Sequence, residues 1–525
     1  MKHKVFKISV GGEHGKVMKN SNDEQSVVAS RKRKIVKVIV GSSFFLIIWI
    51  LFGIALFLDK KTDIHIEDFL FTITSPLQGT AGSIVTNGAK WVLPRIFPIL
   101  LAFAVYCVVY LRSKSERTIR IRMIKKDRKI DFFALLMVGL LLVFAVITVL
   151  TYDKALGVRK YLVKKLAYNK IYENYYVVPK ISELNTDKTK NLIYIYLESM
   201  ETTYMDEANG GFLQENLIPH LTDYAKEGIS FSSSDCLGGF DYCTGTSWTF
   251  SALMSSTSGI HWGYKVATDA FGYMDLASNL ITLGDILEEK GYNQEFLCGS
   301  DAHFAGRDNY FRKHGNYKIM DYYAAIDAGY IPSDYCVFWG FEDRKLFDIA
   351  KKELEELATS DKPFNLTLLT VDTHYDEGYR CELCEDEYNS TLLNAVKCSD
   401  SRVYEFIEWV KEQPFYEDTV IVISGDHLFM TELPIENYQS FDRKVYNCIL
   451  NSDTKVKGEK KNRIFTSLDM FPTTLSALGF EIPGDRLGLG TDMFSGKTTL
   501  AEEIGLDYLN NELAKNSAFY DSNFN

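Results

Sequence analysis

Three places in the chain end an apolar run on groups that can ligate a cation or move a proton. Glu198 follows Ile193-Tyr194-Ile195-Tyr196-Leu197, Asp372 and His374 follow the run Leu366 to Val371, and the pair Asp426-His427 follows Val420 to Gly425. Short apolar runs of this kind read as buried β-strands. If the strands are neighbours in a parallel sheet, the groups at their carboxyl ends meet at one edge. Any one of them alone is explained as a polar residue closing a strand. Together, carboxylates and an imidazole at one edge suit a single divalent cation. Oxygen ligands favour Mg²⁺ or Mn²⁺, and the imidazole admits Mn²⁺ or Zn²⁺.

A nucleophile for such a site would come from a loop or helix start nearby. The segment Gly238 to Thr249 carries the hydroxyls of Thr244, Thr246, Ser247 and Thr249 and runs into the small-residue stretch Ser251 to Ser256. A hydroxyl at a helix N-terminus gains from the macrodipole, and the unpaired backbone N–H groups there can bind phosphate oxygens. An ordinary N-cap uses the same residue types. The residues alone leave the four hydroxyls equivalent.

The elements that must position these groups alternate. Strands are expected at 192–197, 228–231, 294–298, 364–371, 419–424 and 446–450, with helices at 281–290, 343–358 and 400–412 between them. The strand runs are almost continuously apolar, as required when helices cover both faces of a mainly parallel sheet. The fold class is therefore α/β, and the catalytic domain is expected to span 191–525, preceded by a linker over 152–190.

The first 151 residues differ in kind. Ile35–Leu58, Ile96–Leu111 and Phe132–Leu150 are long and apolar enough to read as three membrane spans, the second on condition that Arg95 snorkels and Trp91 sits in the interface. A basic tail, 1–34, precedes them, and the membrane domain is expected over 35–151. Lys and Arg concentrate in that tail, at Arg31 to Lys34 above all, and between Arg112 and Lys129. Positive loops stay inside, so three spans put everything after Thr151 outside the cell, at the plasma membrane. Phe69 to Thr74, between spans one and two, is apolar enough to lie on the membrane surface. The formal net charge of −11 over 525 residues then falls on the outer part, which argues against nucleic acid as a partner. Eight of the nine cysteines lie outside on this topology, where disulfides are permitted. Cys381-x-x-Cys384 with Cys398 could hold zinc, but no fourth ligand stands at a zinc-ribbon spacing, so a disulfide is expected there.

In order along the chain, Asn191 to Ser199, Thr246 to Gly259, Phe304 to Phe311, Leu369 to His374, Ser424 to His427 and Asp469 to Thr474 resemble the successive motifs of lipoteichoic acid synthases and of the phosphoglycerol transferases that decorate periplasmic glucans. Both belong to the sulfatase-like branch of the alkaline-phosphatase superfamily. The resemblance implies a sulfatase-like outer domain, a metal held by Glu198, Thr246, Asp426 and His427, Thr246 as nucleophile, His374 as a catalytic and substrate-binding imidazole, and Arg307 on the head group. It further implies phosphatidylglycerol or another phospholipid as donor, and a glycan or glycolipid as acceptor. Ala305 stands where the lipoteichoic acid synthases have Trp, and three spans replace their usual five, so the likeness is greater to the glucan-type enzymes. A phosphoethanolamine transferase shares the superfamily and the Thr nucleophile, and an inactive membrane-anchored binding or sensor module could keep the fold. The lack of a Cys or Ser followed by x-Pro-x-Arg near residue 246 argues against a true sulfatase.

Overall fold

The computed structural model describes residues 21–61, 66, 69–70, 82–113, 118–123, 126–263, 279–375 and 377–524. The chain divides into two compact units, residues 1–62 with 82–158, and residues 63–81 with 159–525. The expected basic tail before Ser21 lies outside the described residues, as does the surface segment beyond Leu70.

In the first unit three helices are long and apolar enough to cross a membrane, Val28–Lys61, Gly88–Arg112 and Phe132–Leu156. Each outruns its expected span. The second was expected to begin at Ile96, bounded by Arg95, but the helix Gly82–Arg112 runs through Arg95 and through Pro94 and Pro98. Arg95 is accommodated by folding back: its guanidinium lies 3.9 Å from the Trp91 ring centroid, and Nη1 donates to the Trp91 carbonyl at 2.7 Å. The helices pack through Phe45, Trp49 and Ile96, with the Phe45 and Phe103 rings stacked at 3.8 Å. Most of their other apolar side chains face outward, as hydrocarbon solvent allows. The basic stretch between the second and third helices forms a hairpin of β1 (Thr118–Met123) and β2 (Lys126–Asp131), which its charge pattern had concealed.

The second unit is built on a six-stranded sheet of order β5-β4-β6-β3-β7-β8. Its strands are β3 (Asn191–Leu197), β4 (Asn293–Cys298), β5 (Lys318–Met320), β6 (Phe364–Leu369), β7 (Thr419–Gly425) and β8 (Asn447–Leu450). All pairings are parallel except β7 with β8. Every residue of β6 and β7 is buried, and apolar clusters fill both faces of the sheet; the buried Asn365 and Thr367 of β6 are hydrogen-bonded, Asn365 Nδ2 to Gln294 Oε1 and Thr367 Oγ1 to Asn365 Oδ1. Two expectations change. Residues 228–231 contribute one bridge, Ile229 to Ile449, rather than a strand, and β5 was too short to be seen in the sequence.

Residues 159–190, expected as a linker, pack into this unit. Ile171 and Tyr172 are buried in its core, Tyr172 Oη lies 2.6 Å from His261 Nδ1, and Val177 and Gly488 exchange both backbone hydrogen bonds. The cysteines also differ from expectation. All nine are free thiols, and Cys381 Sγ stands 3.4 Å from Cys384 Sγ and 3.8 Å from Cys398 Sγ.

Candidate active site

The central order β6-β3-β7 makes the three chemistry-bearing strands immediate neighbours. Tyr196 is opposite Leu369, and Leu197 is opposite Gly425. Glu198, the Thr370–His374 segment and Asp426-His427 therefore leave the sheet at one level. They are stitched together by the donors of these exits. The Glu198 N–H donates to Thr370 Oγ1 at 2.9 Å, Thr373 Oγ1 donates to the Glu198 carbonyl at 2.5 Å, and the Ser199 N–H donates to Asp426 Oδ1 at 2.8 Å. Gly425 permits the close approach, since a Cβ there would lie 2.0 Å from the Met200 carbonyl oxygen.

Glu198, Asp426 and His427 are all buried, and one ligand atom from each lies within 4.8 Å of the others. His427 Nε2 is 3.5 Å from Glu198 Oε1 and 3.4 Å from Asp426 Oδ2. His427 Nδ1 lies 2.8 Å from the Leu428 carbonyl, which can only accept, so Nδ1 carries the proton and Nε2 turns its lone pair to the carboxylates. Asp426 Oδ1 takes the N–H groups of Ser199 and His427, whereas buried Oδ2 has no hydrogen-bond partner among the described residues. An orphaned buried carboxylate oxygen facing an imidazole lone pair lacks a positive charge between them. With bonds of ~2.1 Å, tetrahedral ligand atoms would be ~3.4 Å apart, so the donor set fits one divalent cation. Without it, burial and the Glu198 charge push the Asp426 carboxyl up to about 7.

Asp372, which the sequence groups with this set, stands apart. Its N–H and that of Val371 donate to Asp343, and burial beside the Asp343 carboxylate holds the Asp372 carboxyl well above the usual range. His374 is half-buried against Trp339, with ring centroids 4.5 Å apart. Its Nδ1 lies 2.8 Å from the Tyr375 carbonyl, so Nε2 is the acceptor, and desolvation, aided by His427, lowers its pKa to about 4. Arg307 is buried at the start of the helix Arg307–Lys313. Its guanidinium donates to the Phe304 and Asp301 carbonyls and to Ser300 Oγ, and its charge is felt at His374.

The hydroxyl segment turns at Gly245, whose φ of +77° and closeness to the Trp262 carbonyl exclude a side chain, and enters the helix Thr249–Ser258. Its hydroxyls are no longer equivalent. Thr244 is tied through N–H and Oγ1 to Asn510, and the Thr246 hydroxyl, buried, donates to the Cys243 carbonyl at 2.8 Å. Thr249 Oγ1 reaches the ligand set itself, 3.2 Å from Glu198 Oε2 and 3.4 Å from His427 Nε2. Ser199, Thr370 and Thr373, which hold the Glu198 exit, escaped the sequence reading. Each lies within four residues of a strand end, the one signal that could have found them. Trp339 gives no such signal, being distant in sequence from His374.

The Sulfatase family matches residues 190–480. Phosphoglycerol transferase I of Salmonella choleraesuis is 34% identical over 318 residues, 59% of this chain and 39% of that protein. The Shigella flexneri protein of the same name is 33% identical over 337 residues, 62% of this chain and 41% of its own. The chain thus spans about two fifths of the length of these relatives. Among solved structures, the lipoteichoic acid synthase from Listeria monocytogenes aligns over 62% of this chain and 81% of that one, with 20% identity and a TM-score of 0.45.

Proposed function

The chain belongs to the sulfatase family, and from that premise we propose that it is a membrane-anchored, metal-dependent phosphoglycerol transferase. It moves glycerol phosphate from phosphatidylglycerol to a glycan or glycolipid acceptor through a threonine-linked intermediate. The observation that carries this reading is the buried Glu198–Asp426–His427 cluster with a hydroxyl-bearing helix start against it. The 34% identity to proteins named phosphoglycerol transferase I supports the choice of head group. The outer orientation rests on the basic residues flanking the apolar helices, and puts the site on the side where glycans and lipoteichoic polymers are built.

Glu198, Asp426 and His427 would hold the cation, with Mn²⁺ or Mg²⁺ preferred and Zn²⁺ also compatible with the donor set. Bound there, it would act as a Lewis acid on the phosphoryl group and lower the pKa of the attacking hydroxyl. Thr246 Oγ attacks the phosphorus of the lipid, its bond to the diacylglycerol oxygen breaks, and diacylglycerol leaves with the proton that Thr246 gives up. Amides at the start of the helix Thr249–Ser258 and Arg307 bind the phosphoglycerol group. His374, neutral with Nε2 as acceptor, then takes the proton of the acceptor hydroxyl and returns it to Thr246 as the phosphate passes on. Thr249 positions Glu198 through its 3.2 Å hydrogen bond.

A second reading follows from that same contact: Thr249, nearest the ligand set, could be the nucleophile in place of Thr246. A change of head group to phosphoethanolamine would leave the residues and their roles unaltered. The test is to place the detergent-purified chain in vesicles of phosphatidylglycerol or phosphatidylethanolamine with Mn²⁺ and measure diacylglycerol. Chelator-sensitive release from phosphatidylglycerol is expected. Release from phosphatidylethanolamine alone supports the rival donor, and release from neither supports an inactive module.

A further inference from the structure

Residues 377–390, just before the helix Thr391–Lys411, form an acidic loop fixed largely by polar contacts, among them the ion pairs Arg344–Glu382, Arg380–Asp386 and Lys397–Glu387. Residues 377–390 include Glu377, Glu382, Glu385, Asp386 and Glu387, and their one aliphatic side chain beyond Cys, Leu383, is 48% exposed. A segment of this composition buries too little apolar surface to order itself. It is nevertheless anchored at both ends. Gly378 and Tyr379 donate backbone N–H groups to the carbonyls of His374 and Asp372, and Asn394 Oδ1 accepts from the N–H groups of Glu387 and Tyr388.

Between these anchors three sulfurs converge. Cys381 Sγ is 3.4 Å from Cys384 Sγ and 3.8 Å from Cys398 Sγ, and all three lie within 4.8 Å of one another. A disulfide joins two sulfurs at about 2.05 Å and would leave the third without purpose. Four ligands around zinc with bonds of about 2.3 Å stand ~3.8 Å apart, close to the separations here. The backbone agrees. Cys381 and Cys384 form a tight turn, with the Cys384 N–H donating to the Cys381 carbonyl at 3.1 Å. A metal would bind these sulfurs as thiolates. Cys381 and Cys398 are buried while Cys384 is partly exposed, which leaves room for water as a fourth ligand on that side.

We propose that Cys381, Cys384 and Cys398 bind one zinc-class cation as a three-thiolate site, distinct from the Glu198–Asp426–His427 cluster, clamping the loop after His374 to the helix Thr391–Lys411. Binding displaces protons from the thiols to solvent and involves no change of oxidation state. The site does not depend on which reaction the chain catalyses.

The test uses the full chain purified in detergent, stripped of metal and loaded with Co²⁺ in place of Zn²⁺. Thiolate-to-cobalt charge-transfer absorption is expected in the wild type and in Asp426→Ala, with loss in Cys384→Ser and in Cys398→Ser. Metal analysis after Zn²⁺ loading should show the two serine variants each binding one equivalent fewer than the wild type. Cys384→Ser removes the partly exposed ligand and is the variant whose fold is least at risk. Absence of the absorption in the wild type, its persistence in both serine variants, or a disulfide among the three cysteines on non-reducing peptide mapping would overturn the proposal.

Discussion

Replacing Asp426 by Asn separates the two faces of one carboxylate. Oδ1 serves the backbone, accepting the N–H groups of Ser199 and His427, each at 2.8 Å, and the Asn carbonyl can keep both. Oδ2 serves the cation alone, and the amide puts N–H groups in its place. In the metal-free protein, burial and Glu198 raise this carboxyl from 3.8 to about 7. A raised carboxyl pKa means that the folded state holds its proton longer than the unfolded state does. The group's contribution to stability is therefore full below about pH 4 and is lost as the pH rises to about 7. At ~1.4 kcal/mol per pH unit the loss by pH 8 approaches ~4 kcal/mol, a ceiling, since water entering an empty site relieves part of it. Asp426→Asn never carries that charge. In chelator at pH 8 it should melt above the wild type, by several degrees at ~2 °C per kcal/mol. Addition of Mn²⁺ at a hundredfold its Kd should stabilise the wild type by ~2.7 kcal/mol, closing most of that gap, with no gain in the variant. The assay is thermal unfolding of the detergent-purified chain at pH 5 and pH 8, with chelator and with Mn²⁺. A variant less stable than wild type in chelator at pH 8, or one stabilised as much by Mn²⁺, would refute the reasoning.

Thr246→Ala should lose turnover by several orders of magnitude and Thr246→Ser should keep part of it, whereas Thr249→Ala should retain turnover but need ~10–100-fold more metal; single-turnover rates against metal concentration separate them. At the edge of the sheet, Glu295 is buried beside Glu353 and Lys318, and desolvation followed by the Glu353 charge raises it to about 8. Glu295→Gln should therefore gain stability relative to wild type as pH rises from about 4.5 to about 8, and a difference in melting temperature that does not grow over this window would count against a raised Glu295 carboxyl. A reporter fused after Asn525 should be active only outside the cell, and cytoplasmic activity would contradict the orientation taken from the basic flanks.

The central sheet was legible because its strands are buried on both faces, so the runs ending at Leu197, Leu369 and Gly425 are mostly apolar, Asn365 and Thr367 of β6 notwithstanding. The proposed metal ligands were legible for a related reason: Glu198 and the pair Asp426-His427 directly follow such runs. What the sequence could not display were contacts made by chain folding back from afar. Asp372 and Asp343 meet only because the helix Asp343–Leu357 starts beneath the end of β6, so Asp372 looked like a ligand. Residues 159–190 read as a linker because their buried residues, Ile171 and Tyr172, find partners near residues 261 and 520. The four hydroxyls were indistinguishable by type, and only the bonds of Thr244 to Asn510 and of Thr249 to Glu198 tell them apart.

The most direct measurement is to incubate the purified chain with phosphatidylglycerol carrying a labelled glycerol head group, without acceptor, quench it, and map the label by peptide mass spectrometry. A phosphoglycerol adduct on Thr246, absent from Thr246→Ala and from chelated protein, is the predicted result. An adduct on Thr249 or Ser247, or label that persists in Thr246→Ala, would contradict it.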